Sequence, residues 1–141
     1  MARSEAVDVL ILGAGIAGCA LAYHLARRNV GPVVLYDPRT PAAGASGRAA
    51  GILTEQLWNQ WDVEVARETH REYADLSRQW DPAAYQQNGF ARFSRNPEAV
   101  PVLEEARERL RHWGVEVETI GPEDLSRHVP AGRFDDVQGG I

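Results

Sequence analysis

The sequence predicts an α/β fold: a βαβ unit at the start of the chain, followed by a mixed helix-and-strand region. Three observations lead there. The stretch Val7-Asp8-Val9-Leu10-Ile11-Leu12-Gly13-Ala14-Gly15-Ile16-Ala17-Gly18 reads as a strand, a glycine turn and the first turn of a helix. A second apolar run, Val33-Val34-Leu35-Tyr36, follows at crossover distance and ends at Asp37. Beyond Leu53 the apolar residues recur every three to four positions, the period of amphipathic helices.

Val7 to Leu12 is short, aliphatic and bounded by glycine, the pattern of a central parallel strand. The first helix is expected from about Ile16 to Arg28, with Ala17, Leu21, Ala22, Leu25 and Ala26 on its apolar face. Arg27 and Arg28 complement the negative end of its dipole, and Asn29-Val30-Gly31-Pro32 stops it. Each glycine of the turn has its own task. Gly13 permits the tight turn, Gly15 removes a side chain where a pyrophosphate would approach the backbone, and Gly18 lets the helix pack closely on the sheet. The amides near Ile16 and Ala17 then face the phosphate charge. Asp37, nineteen residues past Gly18, is placed to accept hydrogen bonds from ribose hydroxyls and to repel a 2′-phosphate. Together these residues describe a dinucleotide site; they do not separate NAD from FAD.

Composition sets the bounds. At 141 residues there is room for one ordinary domain with a sizeable core, and the 44% hydrophobic and 25% charged residues are those of a soluble globular protein. A net charge of -5 offers no basic footprint for nucleic acid and no polybasic membrane patch. All 15 positive charges are Arg, which leaves no Lys for Schiff-base chemistry. The single cysteine, Cys19, excludes an intrachain disulfide and any multi-Cys metal site, and fits a reducing compartment. Met1 to Ala6 is short and polar, and Asp8 with the following glycines interrupts the next apolar run. No signal segment or transmembrane span is expected, and the expected location is cytoplasmic.

The segment Pro38-Arg39-Thr40-Pro41-Ala42-Ala43-Gly44-Ala45-Ser46-Gly47-Arg48-Ala49-Ala50-Gly51-Ile52-Leu53 is small and nearly free of large side chains. Its backbone amides could approach a ligand closely, Ser46 offers a hydroxyl and Arg48 a cation for phosphate. An ordinary Gly/Ala-rich loop has the same composition.

Gly13-x-Gly15-x-x-Gly18, the acid ending the second strand, and Gly44-Ala45-Ser46-Gly47-Arg48-x-x-Gly51 resemble the start of the FAD-dependent amine and amino-acid oxidoreductases, the family of D-amino-acid oxidase, glycine oxidase and sarcosine oxidase. The resemblance is specific over Val7 to Leu53 and looser from there to Ile141. It implies a Rossmann-like FAD-binding βαβ unit in residues 1–80 and the beginning of an α+β substrate domain in residues 81–141. The family's acid is usually Glu; Asp37 would serve with a shorter arm. By the same match Ile16 and Ala17 would meet the pyrophosphate, and Pro38 and Arg39 would lie near the adenosine. Ala45, Ser46 and Arg48 would lead toward the flavin, with Gly51, Ile52 and Leu53 beside the isoalloxazine ring.

After Leu53, a helix is expected from about Asp62 to Trp80 with Val65, Thr69, Tyr73, Leu76 and Trp80 as its stripe and pairs such as Glu68–Arg71 and Arg71–Asp75 on its solvated face. Trp58 and Trp61 fit core packing first, and a place near the active site if the chain passes the flavin there. Asp81-Pro82 breaks the helix, and Gly89 to Ser94 reads as a strand. Asn96-Pro97 opens a helix that Pro101 delays or kinks, with Leu103, Ala106, Leu110 and Trp113 buried and Gly114 ending it. Val115 to Ile120 alternates as a strand would, and Pro122 to Arg127 reads as a short helical turn.

His24, His70, His112 and His128 share no ligand spacing, so no metal site is expected. No Gly-x-Ser-x-Gly motif is present, and Cys19 reads as a small buried helix residue before a redox thiol. The resemblance implies an enzyme that oxidises the C–N bond of a small amine or amino acid by hydride transfer to flavin N5, followed by imine hydrolysis and reoxidation of the flavin. No catalytic side chain is nominated, because the family carries its substrate-binding Arg and Tyr residues further along a longer chain. An incomplete piece of such a flavoenzyme is expected, its first two strands leaving a sheet edge unfilled. The alternatives are a non-catalytic dinucleotide-binding module or subunit completed by a second polypeptide, and an NAD(P)-dependent enzyme.

Overall fold

The structure, a computed structural model, describes residues 6–141, so the polar lead Met1 to Ala6 falls, all but Ala6, outside the described residues. The chain divides into two compact units, Met1–Ile52 and Leu53–Ile141.

In the first unit, strand β1 (Val9–Leu12) leads through helix α1 (Ile16–Arg27) to strand β2 (Val33–Tyr36). The strands pair in parallel, with Val9 opposite Val33 and Leu12 opposite Tyr36. This is the expected βαβ crossover. Pleating sends Val9, Ile11, Val33 and Leu35 to the face that α1 covers, and Ile11 is buried there. Leu10, Leu12, Val34 and Tyr36 lie on the other face and are exposed, Leu12 by 74%. β1 is therefore covered on one side, where the aliphatic run predicts a strand buried on both. The apolar face expected for α1 also divides. Ala22 and Leu25 are half-buried with Gly18, whereas Ala17, Leu21 and Ala26 point outward. Asn29 (φ 53°) and Gly31 (φ 100°) turn the chain into β2.

The second unit holds helix α2 (Gln60–Gln79), strand β3 (Phe93–Ser94), helix α3 (Val100–His112), helix α4 (Pro122–His128) and strand β4 (Gly139–Gly140). Its main core gathers Val63, Leu103, Ala106, Leu110, Val117 and Ile141, with Leu57, Trp113 and Val115 packed against them. A smaller cluster joins Leu125, Phe134 and Val137 with Phe93 and Ile120. Because Val63 is buried among α3 side chains, α2 packs with the second unit, and the units part between Ile52 and Leu53.

Helix α2 starts where Asn59 accepts the Asp62 N–H at 2.9 Å, two residues before the expected start. Its buried face differs from the expected stripe. Val63 is fully buried, while Val65 is 64% exposed and Trp80 also faces outward. Glu68–Arg71 forms as expected at 2.9 Å, but Asp75 pairs with Arg78 in place of Arg71. Trp58 and Trp61 are 71% and 78% exposed, so neither joins the core; the Arg92 guanidinium stacks on Trp58.

In α3 the expected stripe is buried as read, with Trp113 packed at its edge and Gly114 (φ 75°) ending the helix. Pro97–Ala99 forms a 3₁₀ turn first, capped by Asn96, so α3 begins at Val100 with Pro101 in its first turn. The expected strand from Gly89 shrinks to Phe93–Ser94, antiparallel to β4. Val115 to Ile120 forms no strand. Val117 is buried and Ile120 makes an isolated bridge to Gly140, but among the described residues no neighbouring strand pairs with the rest.

Candidate dinucleotide site

Main-chain donors gather at the turn between β1 and α1. Gly13 adopts φ +106°, a left-handed value that turns the chain out of the strand. Gly18 backs directly onto that turn, since a Cβ there would lie 1.9 Å from Gly13 O and 3.4 Å from Ile11 Cγ2. The start of α1 is thereby pressed against the glycine turn. Its N-cap residue, Gly15, provides no side-chain cap, and no acidic residue stands in the first turn. The positive end of the helix dipole is not neutralised from within the helix.

Asp37 closes this arrangement from the end of β2. Its Oδ2 accepts the Ala14 N–H and its Oδ1 the Arg39 N–H, each at 2.8 Å. The Ala14 amide foremost, then the Arg39 amide, hold the carboxyl below its ordinary value; slight desolvation opposes them and the Arg39 guanidinium assists. The group is ionised at neutral pH, and each oxygen keeps a lone pair for a further donor.

The loop after Asp37 is drawn back across the same turn. Ala42 N–H donates to Ala14 O at 2.9 Å, and Ile16 N–H donates to Ser46 Oγ at 2.9 Å. A Cβ on Gly15 would lie 3.1 Å from that hydroxyl. Ser46–Arg48 then makes one 3₁₀ turn. The structure thus brings Gly13, Gly15, Ile16, Gly18, Asp37, Arg39 and Ser46 together. Ala17 is exposed on the first turn of α1, and Pro38 and Ala45 are exposed along the loop. Arg48 is exposed and makes no ion pair among the described residues. Gly51 (φ 69°) and Ile52 are exposed and not hydrogen-bonded to the cluster, and Leu53 opens the second unit.

Sequence reasoning missed Ala14 and Ala42. Ala14 both donates to Asp37 and accepts from Ala42, and its place between two glycines was the available signal. Ala42 carries φ 61°, which nothing in an alanine announces. Cys19 is a free, half-buried thiol on α1. Among the described residues no group of three or more His, Cys, Asp or Glu side chains could hold a metal ion, and no helix is long and apolar enough to cross a membrane.

A family model described as FAD dependent oxidoreductase matches residues 8–141. Mitochondrial sarcosine dehydrogenase of Mus musculus is 25% identical over 134 residues, covering 94% of this chain and 15% of that protein. A higher identity over a shorter stretch, 56% over 58 residues, is found with the tRNA 5-methylaminomethyl-2-thiouridine biosynthesis bifunctional protein MnmC of Marinobacter nauticus, covering 40% of this chain and 9% of that protein. Among solved structures, L-proline dehydrogenase from P. horikoshii matches with a TM-score of 0.86 at 21% identity, over 98% of this chain and 36% of that chain. That likeness shows the fold, a Rossmann-like α/β unit followed by mixed structure. The chain spans about 15% of the length of the mitochondrial dehydrogenase it matches. With its glycine turn, acidic strand end and returning loop all inside the matched residues, the chain belongs to the FAD dependent oxidoreductase family.

Proposed function

We propose that this chain binds FAD across its glycine turn and contributes that grip to the oxidation of the C–N bond of a small amine or amino acid. The observation that carries the reading is Asp37, an ionised carboxylate fixed at the end of β2 by Ala14 and Arg39 and still able to accept hydrogen bonds. The residues fit the group. Asp37 offers acceptors to ribose hydroxyls and a charge that opposes a 2′-phosphate. The start of α1 at Ile16 and Ala17, with the helix dipole, faces the pyrophosphate, the Ala17 amide directly and the Ile16 amide through the Ser46 hydroxyl it already holds. Ser46, whose oxygen already accepts from Ile16, has its own proton for a phosphate oxygen. Arg48 adds a cation, Pro38 and Arg39 flank the adenosine, and Ala45, Gly51, Ile52 and Leu53 lead along the flavin. When bound, FAD supplies the hydride acceptor. No side chain of this chain is assigned to the bond-breaking step.

In this reading the cofactor-binding part runs through residues 1–80 and the substrate domain starts within 81–141, with α2 packing on the side of the second part. FAD titration followed by flavin fluorescence, with NAD as competitor, tests it. Saturable binding that NAD does not displace is expected; NAD binding without FAD binding overturns it. A second reading, a dinucleotide-binding subunit completed by another polypeptide, is favoured by the open face of the β1–β2 sheet. It predicts FAD binding without amine turnover by the purified chain, and turnover by that chain alone excludes it.

A further inference from the structure

Gln86 to Gly89 forms an exposed loop within the second unit, and among the described residues no hydrogen bond engages its main chain. The loop runs between two anchors. Before it, the Tyr85 hydroxyl meets His70 Nδ1 and accepts from Gln87 Nε2 at 3.2 Å. After it, the Phe90 carbonyl accepts from Gln56 Nε2 at 2.9 Å. Asn88 stands directly before Gly89 in this free span. Gly89 has φ +80°, and a Cβ added to it would meet nothing within 4 Å. With no side chain, no hydrogen bond and no neighbour in front of it, the Gly89 amide nitrogen lies open to attack a carbonyl carbon close by. The Asn88 side chain is free to offer one. Its contact, Nδ2 to Gln86 Oε1, is 3.5 Å long, at the outer limit of a hydrogen bond.

The other three asparagines of the sequence lack this combination. Asn29 precedes Val30, whose branched side chain crowds its own nitrogen and whose N–H is already given to Leu25 O at 3.3 Å. The Asn59 side chain is occupied as the cap of α2, accepting from Asp62 N–H at 2.9 Å and donating to Asp62 Oδ2 at 2.7 Å. Asn96 accepts from Glu98 N–H at 3.0 Å and precedes Pro97, which has no N–H to lose. Asn88 alone has a loose side chain and a bare glycine nitrogen beside it.

We propose that Asn88 is a modification site, at which the folded chain deamidates itself through a cyclic imide formed with the Gly89 nitrogen. The Gly89 nitrogen gives its proton to solvent base and bonds to Asn88 Cγ. The Cγ–Nδ2 bond breaks, and Nδ2 takes up a proton and leaves as ammonia. Water then opens the ring at one of its two carbonyls. Attack at Cγ restores the ordinary main chain with aspartate, and attack at the Asn88 main-chain carbonyl leaves a β-linked aspartate. Nothing is oxidised or reduced, and water is the co-reactant. Either product adds a negative charge, and the β-linked one lengthens the main chain by a methylene group between the Tyr85 and Phe90 anchors. Incubating the whole chain in mildly alkaline buffer made with oxygen-18 water, followed by ion exchange and peptide mapping, tests the proposal. A more acidic species is expected, with labelled oxygen at residue 88 in both aspartate forms and with Asn29, Asn59 and Asn96 intact. Asn88 left intact, or conversion shared evenly among the four asparagines, overturns it. Asn88→Gln keeps Gly89 and its φ while disfavouring the five-membered ring, and is expected to lose the acidic species; persistence of that species overturns the assignment. The rate at Asn88 in the folded chain is expected to lie within about threefold of that in the urea-unfolded chain, because opening an untied loop costs close to nothing. Stronger protection by the fold overturns the proposal.

Discussion

Replacing Gly18 by Ala probes the close seat of α1 on the glycine turn. The new methyl would stand 1.9 Å from Gly13 O and 3.1 Å from Gly13 C. Both are backbone atoms, so no side-chain rotation relieves the overlap, and the helix start must move off the turn. Alanine brings a helix-propensity gain of up to about 1 kcal/mol. Overpacking against a fixed group costs up to about 3 kcal/mol. The clash wins, and a net loss of about 2 kcal/mol corresponds to a fall of roughly 8–16 °C in the melting of the first unit. Because the displaced first turn carries the amides assigned to the pyrophosphate, FAD affinity should drop by about tenfold or more, the worth of one charge-assisted bond. Circular-dichroism melting and FAD titration of Gly18→Ala beside the parent measure both effects. A variant that melts within about 1 °C of the parent and binds FAD equally would refute the close-packing reasoning.

Further outcomes follow from the same geometry. Asp37→Asn sets an amide N–H against either the Ala14 or the Arg39 N–H and removes the charge, so FAD binding should weaken by about tenfold while 2′-phosphorylated dinucleotides are less strongly rejected. Isothermal titration with both ligands checks this, and equal FAD affinity contradicts it. Since the folded Asp37 carboxyl titrates below its ordinary 3.8, its contribution is complete above that value and is lost as pH falls through the lower, folded one. FAD affinity should therefore show no Asp37-dependent change between about pH 5 and 8, and an Asp37-dependent step in that range contradicts the assignment. Val63→Ala opens space in the second core and should cost about 2 kcal/mol in urea unfolding, whereas Val65→Ala, two positions away, should stay within about 0.5 kcal/mol. Equal losses would return Val65 to the core.

The contrast between these two valines shows what could be read in the residues. β1, α1 and β2 were legible to within a few residues because glycine, proline and aliphatic runs mark their ends locally. The α3 stripe was legible because Leu103, Ala106 and Leu110 are its clear apolar set on one face. Helix α2 offers two overlapping frames, one through Val63 and one through Val65, and the packing of α3 decides between them. Alternation at Val115 to Ile120 fits a strand, yet a strand also requires a neighbour, which local sequence does not supply. Trp58 and Trp61 are large enough to suggest burial, but they flank the polar N-cap of α2 at Asn59 and remain outside. In the site, Gly13, Gly18, Asp37 and Ser46 were legible from type and spacing. The bonds through Ala14 and Ala42 were not, because main-chain partners carry no signature in their side chains.

The visible spectrum of the purified protein after desalting tests the central claim most directly. FAD held at the Gly13–Gly18 turn and Asp37 predicts flavin absorption bands that remain with the protein through the column. A folded, colourless protein that takes up no added FAD and binds NAD would contradict it.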